Sequence, residues 1–493
     1  MSEEKSALDD CTISKVDYER VVAQGKEEDM KRVLEYKLIE FCQTKKKEGI
    51  VQVKDEYIKV TNDLIKEEEA LEKVVNSYFD KNDLAEKVWE VQPYFYDSSK
   101  IWWLWDLKQF KWKVVDEIDI LNKVKRASNA NTVQARDRNE IIEAMKQFGR
   151  TRKPKDIKKT WIQFKDKIFD YTTGDILKAS PEYFATNPIP HEVGEFENTP
   201  TMDKIFEEWV GKDYVKTLYE ILAYCLIPDY PLHRLFCFIG SGMNGKSKFL
   251  ELMRRFIGET NVSTTELDTL IHSRFEITRL HKKLVCQMGE TNFDELSKTS
   301  IIKKLTGQDT IGFEYKNKNL FDDYNYAKIL IATNNLPTTT DKTVGFYRRW
   351  LIIDFPNQFS EQKDILKDIP EEEYSFLAAK CIGLLRELLE KREFHKEGDL
   401  EERKKRYEDR SDFLQTFLNE FVDSLFEGYI TKSDFKRKFD SWCKERGHRF
   451  MSDVVLGKKM KEKEYEWVKK SFEWLNDGKG GQLPVWEGIN WKE

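Results

Sequence analysis

The sequence predicts a multidomain α/β protein organised around a three-layer α/β core, and three observations carry that expectation. At 493 residues the chain exceeds what one hydrophobic core organises, so roughly two to four domains are expected. From Leu235 to about Pro356, apolar runs of β type alternate with helical stretches, the pattern of a sheet covered by helices on both faces. One of these joins, FCFIGSGMNGKSKFL from Phe236 to Leu250, leads from strand to helix through a loop holding Gly240, Gly242 and Gly245. Charged residues at 35% and aromatics at 13% suit a globular protein with a large polar surface rather than a disordered chain.

The elements follow in order. Residues 1–86 are charge-rich, with apolar residues at helical spacing (Val33, Leu34, Leu38, Phe41), and read as a helical region. Their first ten, MSEEKSALDD, are acidic and lack the apolar core of a signal peptide. Residues 87–200 read as a mixed α/β domain. Within it YFYDSSKIWWLWDLKQFKWKVVD alternates aromatic and polar residues as strands joined by a turn. Trp102, Trp103, Trp105 and Trp112 read as the core of that hairpin, in preference to a platform for stacking bases. A helix near Thr132–Phe148, a basic linker (GRTRKPKDIKK) and two strands turning at Thr173-Gly174 complete the domain. Residues 201–370 open with a helical segment from Met202 to Leu226 and hold the core. A helical connector at 371–410 contains the amphipathic run FLAAKCIGLLRELLEK, and 411–493 form a compact basic module. No apolar stretch approaches the length needed to span a bilayer.

The chemistry centres on the glycine loop. Gly240-Ser-Gly242-Met-Asn244-Gly245-Lys246-Ser247 has the G-x-x-x-x-G-K-S spacing, after a strand and opening a helix. Glycines let backbone N–H groups curl around a polyphosphate, and the helix start adds its positive dipole end. Lys246 is positioned to reach the β/γ-phosphates and Ser247 to hold Mg²⁺, so ATP and Mg²⁺ are the expected ligands. Downstream, the apolar run LVCQM ends at Glu290, where a carboxylate can deprotonate or orient water and join the metal site. Asp294 is a weaker contributor to that site. The run ILIATNN ends at Asn334, an uncharged group able to bond the γ-phosphate or the water, with Asn335 beside it. Arg348 and Arg349 suit charge stabilisation across a subunit boundary or, alternatively, a salt-bridged strand edge.

GSGMNGKS, QMGETN, IKKLTGQDTIGFEYKNK, LIATNNLP and FYRRWLIIDFP, in that order, resemble superfamily 3 helicases. They look most like the poxvirus, phage and archaeal-plasmid primase-helicase branch. The likeness runs from about Val88 to Trp491. It implies an AAA+-like ATPase that forms a ring, a hexamer, and moves 3′ to 5′ on single-stranded DNA. Lys246, Glu290 and Asn334 would then act in one subunit and Arg348 or Arg349 in the next. Lys316 and Lys318 fall in the segment that in this family forms a hairpin gripping DNA in the pore. Independently, Phe313-Glu-Tyr-Lys-Asn-Lys alternates like a strand, while Gly312 and Asn317-Lys-Asn suit turns. Many relatives carry a primase domain upstream. Here no D-x-D followed by a suitable His is present, so priming is expected from a separate primase or polymerase.

The formal charge of −6 gives no general attraction to nucleic acid, so DNA contacts are expected from local clusters. Thr431–Lys470 holds 13 Lys/Arg against 7 Asp/Glu. It reads as helix, turn, helix and strand wing, a winged-helix-like DNA-binding module with Lys458, Lys459 and Lys461 exposed. The seven cysteines are scattered without a C-x-x-C pair, which argues for reduced thiols in a cytoplasmic setting and against zinc. Two other classes compete with an ATP-driven helicase: an initiator that uses ATP only as an assembly switch, and a small-molecule kinase.

Overall fold

The computed structural model describes residues 81–127, 137–240, 242–289, 296, 298–359, 364–445, 450–472 and 480–492. The helices expected before residue 81, with Cys11 and Cys42, lie outside these residues. The chain divides into two compact units, one of residues 1–157 and 179–186, the other of 158–178 and 187–493.

In the first unit, strands β1 (Tyr94–Tyr96), β2 (Trp102–Asp106) and β3 (Lys111–Val115) form an antiparallel sheet in that order. Alternation sends neighbouring residues to opposite faces, and both faces are covered. Tyr94, Trp102 and Leu104 pack on helices Lys81–Val91, Glu117–Ala127 and Arg138–Arg150. On the other face Phe95 stacks on Trp103 at 5.9 Å and meets Trp112 edge-on at 5.0 Å, and Phe184 closes over Trp103 at 4.8 Å. The indole N–H of Trp103 donates to Asp97 and that of Trp112 to the Tyr183 carbonyl. All four tryptophans are at most 3% exposed, so they are core and no base-stacking platform.

The second unit begins with an antiparallel sheet of β4 (Trp161–Phe164), β5 (Lys167–Asp170) and β6 (Ile176–Lys178). The stretch expected to form one domain at 87–200 is thus shared between the units. The reason is burial: Ile162, Phe164 and Ile189 join the large core of the second unit, whereas Phe184 packs on Trp103.

At its centre lies a five-stranded sheet of β7 (Leu235–Ile239), β8 (Val262–Thr264), β9 (Val285–Met288), β12 (Lys328–Thr333) and β13 (Trp350–Asp354). The spatial order is β13-β7-β12-β9-β8 and every pairing is parallel. β7, β9, β12 and β13 read as continuous apolar runs because both faces are buried. Phe236, Phe238, Leu330, Leu351 and Ile353 face one core, with helices Pro200–Val210, Lys212–Tyr224, Lys246–Ile257 and Glu371–Lys391. Leu235, Cys237, Ile329, Ile331 and Ile352 face the other, with helices Leu267–His272, Thr299–Leu305 and Leu400–Ser411. The helix expected across Met202–Leu226 is broken at Gly211, whose φ of 75° interrupts it.

Between β9 and β12, β10 (Thr310–Phe313) and β11 (Phe321–Tyr324) form an antiparallel hairpin. Strand structure stops at Phe313, and Gly312 lies inside the strand opposite Asp322 rather than in a turn; the turn centres on Asn317, with φ of 63°. The C-terminal region runs helix Phe413–Phe421, β14 (Val422–Thr431), helices Lys432–Glu445 and Asp453–Glu462, then β15 (Trp467–Phe472) and β16 (Gly481–Trp491). Its sheet order is β14-β16-β15, and Phe435, Phe439 and Trp442 fill its core. Among the described residues no helix is long and apolar enough to cross a membrane.

Candidate functional site

The loop between β7 and the helix at Lys246 holds its shape through residues that tolerate no replacement. A Cβ on Gly245 would lie 2.5 Å from the Trp209 indole, and its φ of +91° is left-handed besides. A Cβ on Gly240 would overlap the Asn244 amide at 1.7 Å and crowd the Phe355 carbonyl. Asn244, 3% exposed, donates to that carbonyl at 3.3 Å and so fastens the loop to the end of β13.

Lys246 is 7% exposed, and among the described residues its ammonium donates to the Gly240 carbonyl at 2.6 Å, Asn244 Oδ1 at 3.0 Å and Asn334 Oδ1 at 3.3 Å. The topology explains how Asn334, 88 residues away, reaches it. β12 is inserted between β7 and β9, pairing with both, so its carboxyl end opens beside the loop. Ser247 follows on the first helical turn and is exposed, and Gly242 lies on the loop with φ of 108°. Glu290 and Asp294 lie outside the described residues; β9, which precedes them, ends at Met288. A loop with backbone N–H groups, a lysine and a helix start at the carboxyl ends of parallel strands can hold an anionic polyphosphate.

Two residues that the sequence reading left in a connector also stand at this end of the sheet. On helix Leu400–Ser411, Arg406 and Arg410 donate to the two oxygens of Asp354 at 3.1 and 2.7 Å, and Arg406 also reaches the Tyr214 hydroxyl. Asp354 is the register partner of Ile239, the residue before the loop, and the Arg410 carbonyl accepts from Leu336 N–H, just past Asn335. In sequence, KKRYEDR looks like a solvated charged helix. The i, i+4 spacing of the arginines places both on one face of the helix but does not say what that face meets.

Arg348 and Arg349 sit at the opposite end. β13 begins after them, and its five residues separate them from the loop end by about 16 Å of strand. Arg349 is 6% exposed and bonded within its own chain, to Thr306 Oγ1 at 2.8 Å, the Lys303 carbonyl at 3.2 Å and the Gly345 carbonyl. Arg348 is exposed, its carbonyl held by Arg403 at 2.9 Å. Burial, then the nearby Arg349, Arg348 and Arg234, hold His233 below its ordinary pKa, with Asp309 opposing them, and Arg234 is itself paired with Glu397.

On the hairpin turn Lys316 is exposed and Lys318 half-buried. In the C-terminal region Lys458 and Lys461 are exposed on helix Asp453–Glu462, with Lys459 half-buried and Lys458 3.8 Å from Glu462. Cys225, Cys237, Cys286, Cys381 and Cys443 are buried free thiols. Burial raises the Cys225, Cys286 and Cys443 thiols to about 12, so they are inert packing groups.

Residues 238–349 match DUF5906, a family of unknown function; the match runs from the end of β7 to the arginine pair. Over 228 residues the chain is 25% identical to "Putative helicase L207/L206" of Acanthamoeba polyphaga mimivirus. That stretch covers 43% of this chain and only 23% of the mimivirus protein. Among solved structures, an A-form apo structure of the NrS-1 C-terminal region gives a TM-score of 0.42 at 11% identity, covering 81% of this chain and 98% of that one. An apo structure of its residues 305–718 gives 0.42 at 14%, covering 76% and 84%.

Proposed function

We propose that this chain is an ATP-driven DNA helicase of viral replication, working in the superfamily 3 manner as a ring on single-stranded DNA. The observation that carries the reading is the convergence of Lys246, Asn244 and Asn334 at the mouth of the glycine loop, with a lysine-bearing hairpin inserted between β9 and β12. The likeness to the mimivirus protein supports it. In this reading Lys246 would exchange its internal oxygens for phosphate oxygens, and Ser247 and Glu290 would hold Mg²⁺. Glu290 takes the proton of the attacking water, and Asn334 orients that water. An Mg²⁺ ion held there would supply charge neutralisation at the phosphates.

Arg348 is the finger in preference to Arg349, because it is exposed and at the far end of the sheet, where it serves a neighbour's site. A head-to-tail contact of that kind gives a ring where its rotation closes, and the ring is taken as a hexamer from the resemblance. Lys316 and Lys318 grip the single strand, and the winged-helix-like C-terminal module, through Lys458, Lys459 and Lys461, holds duplex at the fork. Priming is left to a separate primase or polymerase.

The test is strand displacement from a forked duplex with and without ATP, in the wild type and in Lys246→Ala. ATP-dependent displacement by the wild type alone is the expected result. ATP-dependent assembly on DNA without displacement would replace the helicase by the initiator reading.

A further inference from the structure

We propose that His281 is a positioning residue that couples the hairpin to the two strands ending at the candidate catalytic groups, so that DNA on the hairpin changes turnover at the glycine loop; the inference rests on the helicase reading above. The imidazole is 7% exposed and bridges two parts of the hairpin. Its Nδ1 lies 2.9 Å from the hydroxyl of Tyr315, on the turn, and its Nε2 3.1 Å from Oδ2 of Asp323, on β11. Lys282 donates to the same Asp323 oxygen at 2.7 Å. Burial opposes a charged Asp323, yet the bonds from His281 and Lys282 outweigh it and hold the carboxyl well below the usual carboxylate range. Phe313 and Phe321 enclose the imidazole at 5.1 and 4.9 Å between ring centres. A second latch lies three residues upstream, where the Thr278 hydroxyl donates to the Glu314 carbonyl at 3.1 Å and accepts from its N–H at 2.9 Å.

The position of this clamp gives it its meaning. β9 starts at Val285, four residues after His281, and ends two residues before Glu290. β12 starts at Lys328, four residues after β11, and ends beside Asn334. Val285 and Lys328 are register partners, so the two strands leave the clamp side by side, and β12 finishes next to the loop, where Asn334 meets Lys246. A hairpin on a flexible stem would move alone when DNA pulled on it. A stem bonded at three residues of the 278–282 segment passes its displacement to β9 and β12, because a close-packed sheet shifts as a body. Lys316 and Lys318 lie beyond the clamp, so they touch DNA without taking part in it.

Full-length Tyr315→Phe, His281→Ala and His281→Gln test the proposal through basal turnover, turnover with single-stranded DNA, DNA affinity and melting temperature. Tyr315→Phe removes one hydroxyl and retains the ring, so it folds even if His281→Ala does not. The expected result is basal turnover and DNA affinity within about twofold of wild type, with the stimulated-to-basal ratio reduced about tenfold. His281→Gln, which retains a donor toward Asp323, recovers part of the ratio. A clamp that only stabilises the fold would lower melting temperature and both turnovers together; an unchanged ratio in Tyr315→Phe and His281→Ala therefore overturns the inference. Turnover that survives Lys246→Ala would instead overturn the helicase reading, and the coupling with it.

Discussion

Lys328 carries an amine into the middle of an apolar sheet, and that placement has a measurable consequence. It is fully buried on β12, donates to the Ile227 carbonyl and lies over the Tyr224 ring at 5.0 Å. Burial lowers its pKa from 10.5 to about 7. Between those values the unfolded chain binds the proton that the folded chain lacks, so this residue makes stability rise with pH from about 7 to 10.5 and leaves it flat below 7. Each pH unit contributes at most about 1.4 kcal/mol. Lys328→Met should remove that slope, and urea unfolding of both proteins at pH 7, 8 and 9 checks it. Equal slopes would mean that the buried amine stays charged. At the site itself, Lys246→Ala should abolish ATP hydrolysis, whereas Glu290→Gln should still bind nucleotide and turn over at least about a hundredfold slower. Near-normal turnover in Glu290→Gln would move the base to Asp294. The meeting of Lys246 and Asn334 was legible in sequence, Lys246 from the G-x-x-x-x-G-K-S spacing and Asn334 from its place at the end of an apolar run. Arg406 and Arg410 were hidden, because a charged helix reads alike whether its arginines face water or a carboxylate.

Among the elements, β7, β9, β12 and β13 were legible because strands buried on both faces show unbroken apolar runs. The C-terminal helices were equally plain, since Phe435, Phe439 and Trp442 repeat at helical spacing behind the Thr431 cap, which accepts from Asp434 N–H at 3.1 Å. The break at Gly211 was not, because a glycine between two amphipathic stretches fits either one helix or two. Nor could local pattern reveal that 158–178 leave the neighbouring sheet for the larger core. That choice depends on tertiary burial of Ile162 and Phe164. The hairpin leads to a prediction at this scale. On the proposed helicase reading, Lys316→Ala with Lys318→Ala should abolish unwinding and DNA-stimulated hydrolysis while leaving basal hydrolysis within about twofold, because that reading gives each subunit of a ring the same sequence-blind phosphate contacts. Lys458→Ala with Lys461→Ala should instead weaken loading on forked duplex and reduce the salt dependence of binding by about two units of slope. Comparing both double variants on preloaded forks separates grip from loading. Normal unwinding by the hairpin variant would remove Lys316 and Lys318 from the motor.

For the whole molecule, the two ends of the parallel sheet are chemically unlike. One carries the glycine loop, Lys246 and Asn334; the other carries exposed Arg348 with Arg349, Arg234 and a depressed His233. No single copy can bring Arg348 across the length of β13 to its own loop without dismantling that strand. If the arginine serves catalysis, it serves a neighbour. Complementation tests this without a structure of the assembly. Arg348→Ala retains an intact loop, and Lys246→Ala retains an intact arginine, so each alone should be inactive. In randomly mixed equimolar rings, about one interface in four pairs an intact loop with an intact arginine, and turnover should recover toward about a quarter of wild type. Arg349→Ala should behave differently. It leaves Thr306 and the Lys303 and Gly345 carbonyls without their donor, so it should lower melting temperature and fail to complement in proportion. Sedimentation checks whether mixed rings form. Rings that assemble and show no recovery would place Arg348 outside the site, and would return the pair to the role of a strand edge.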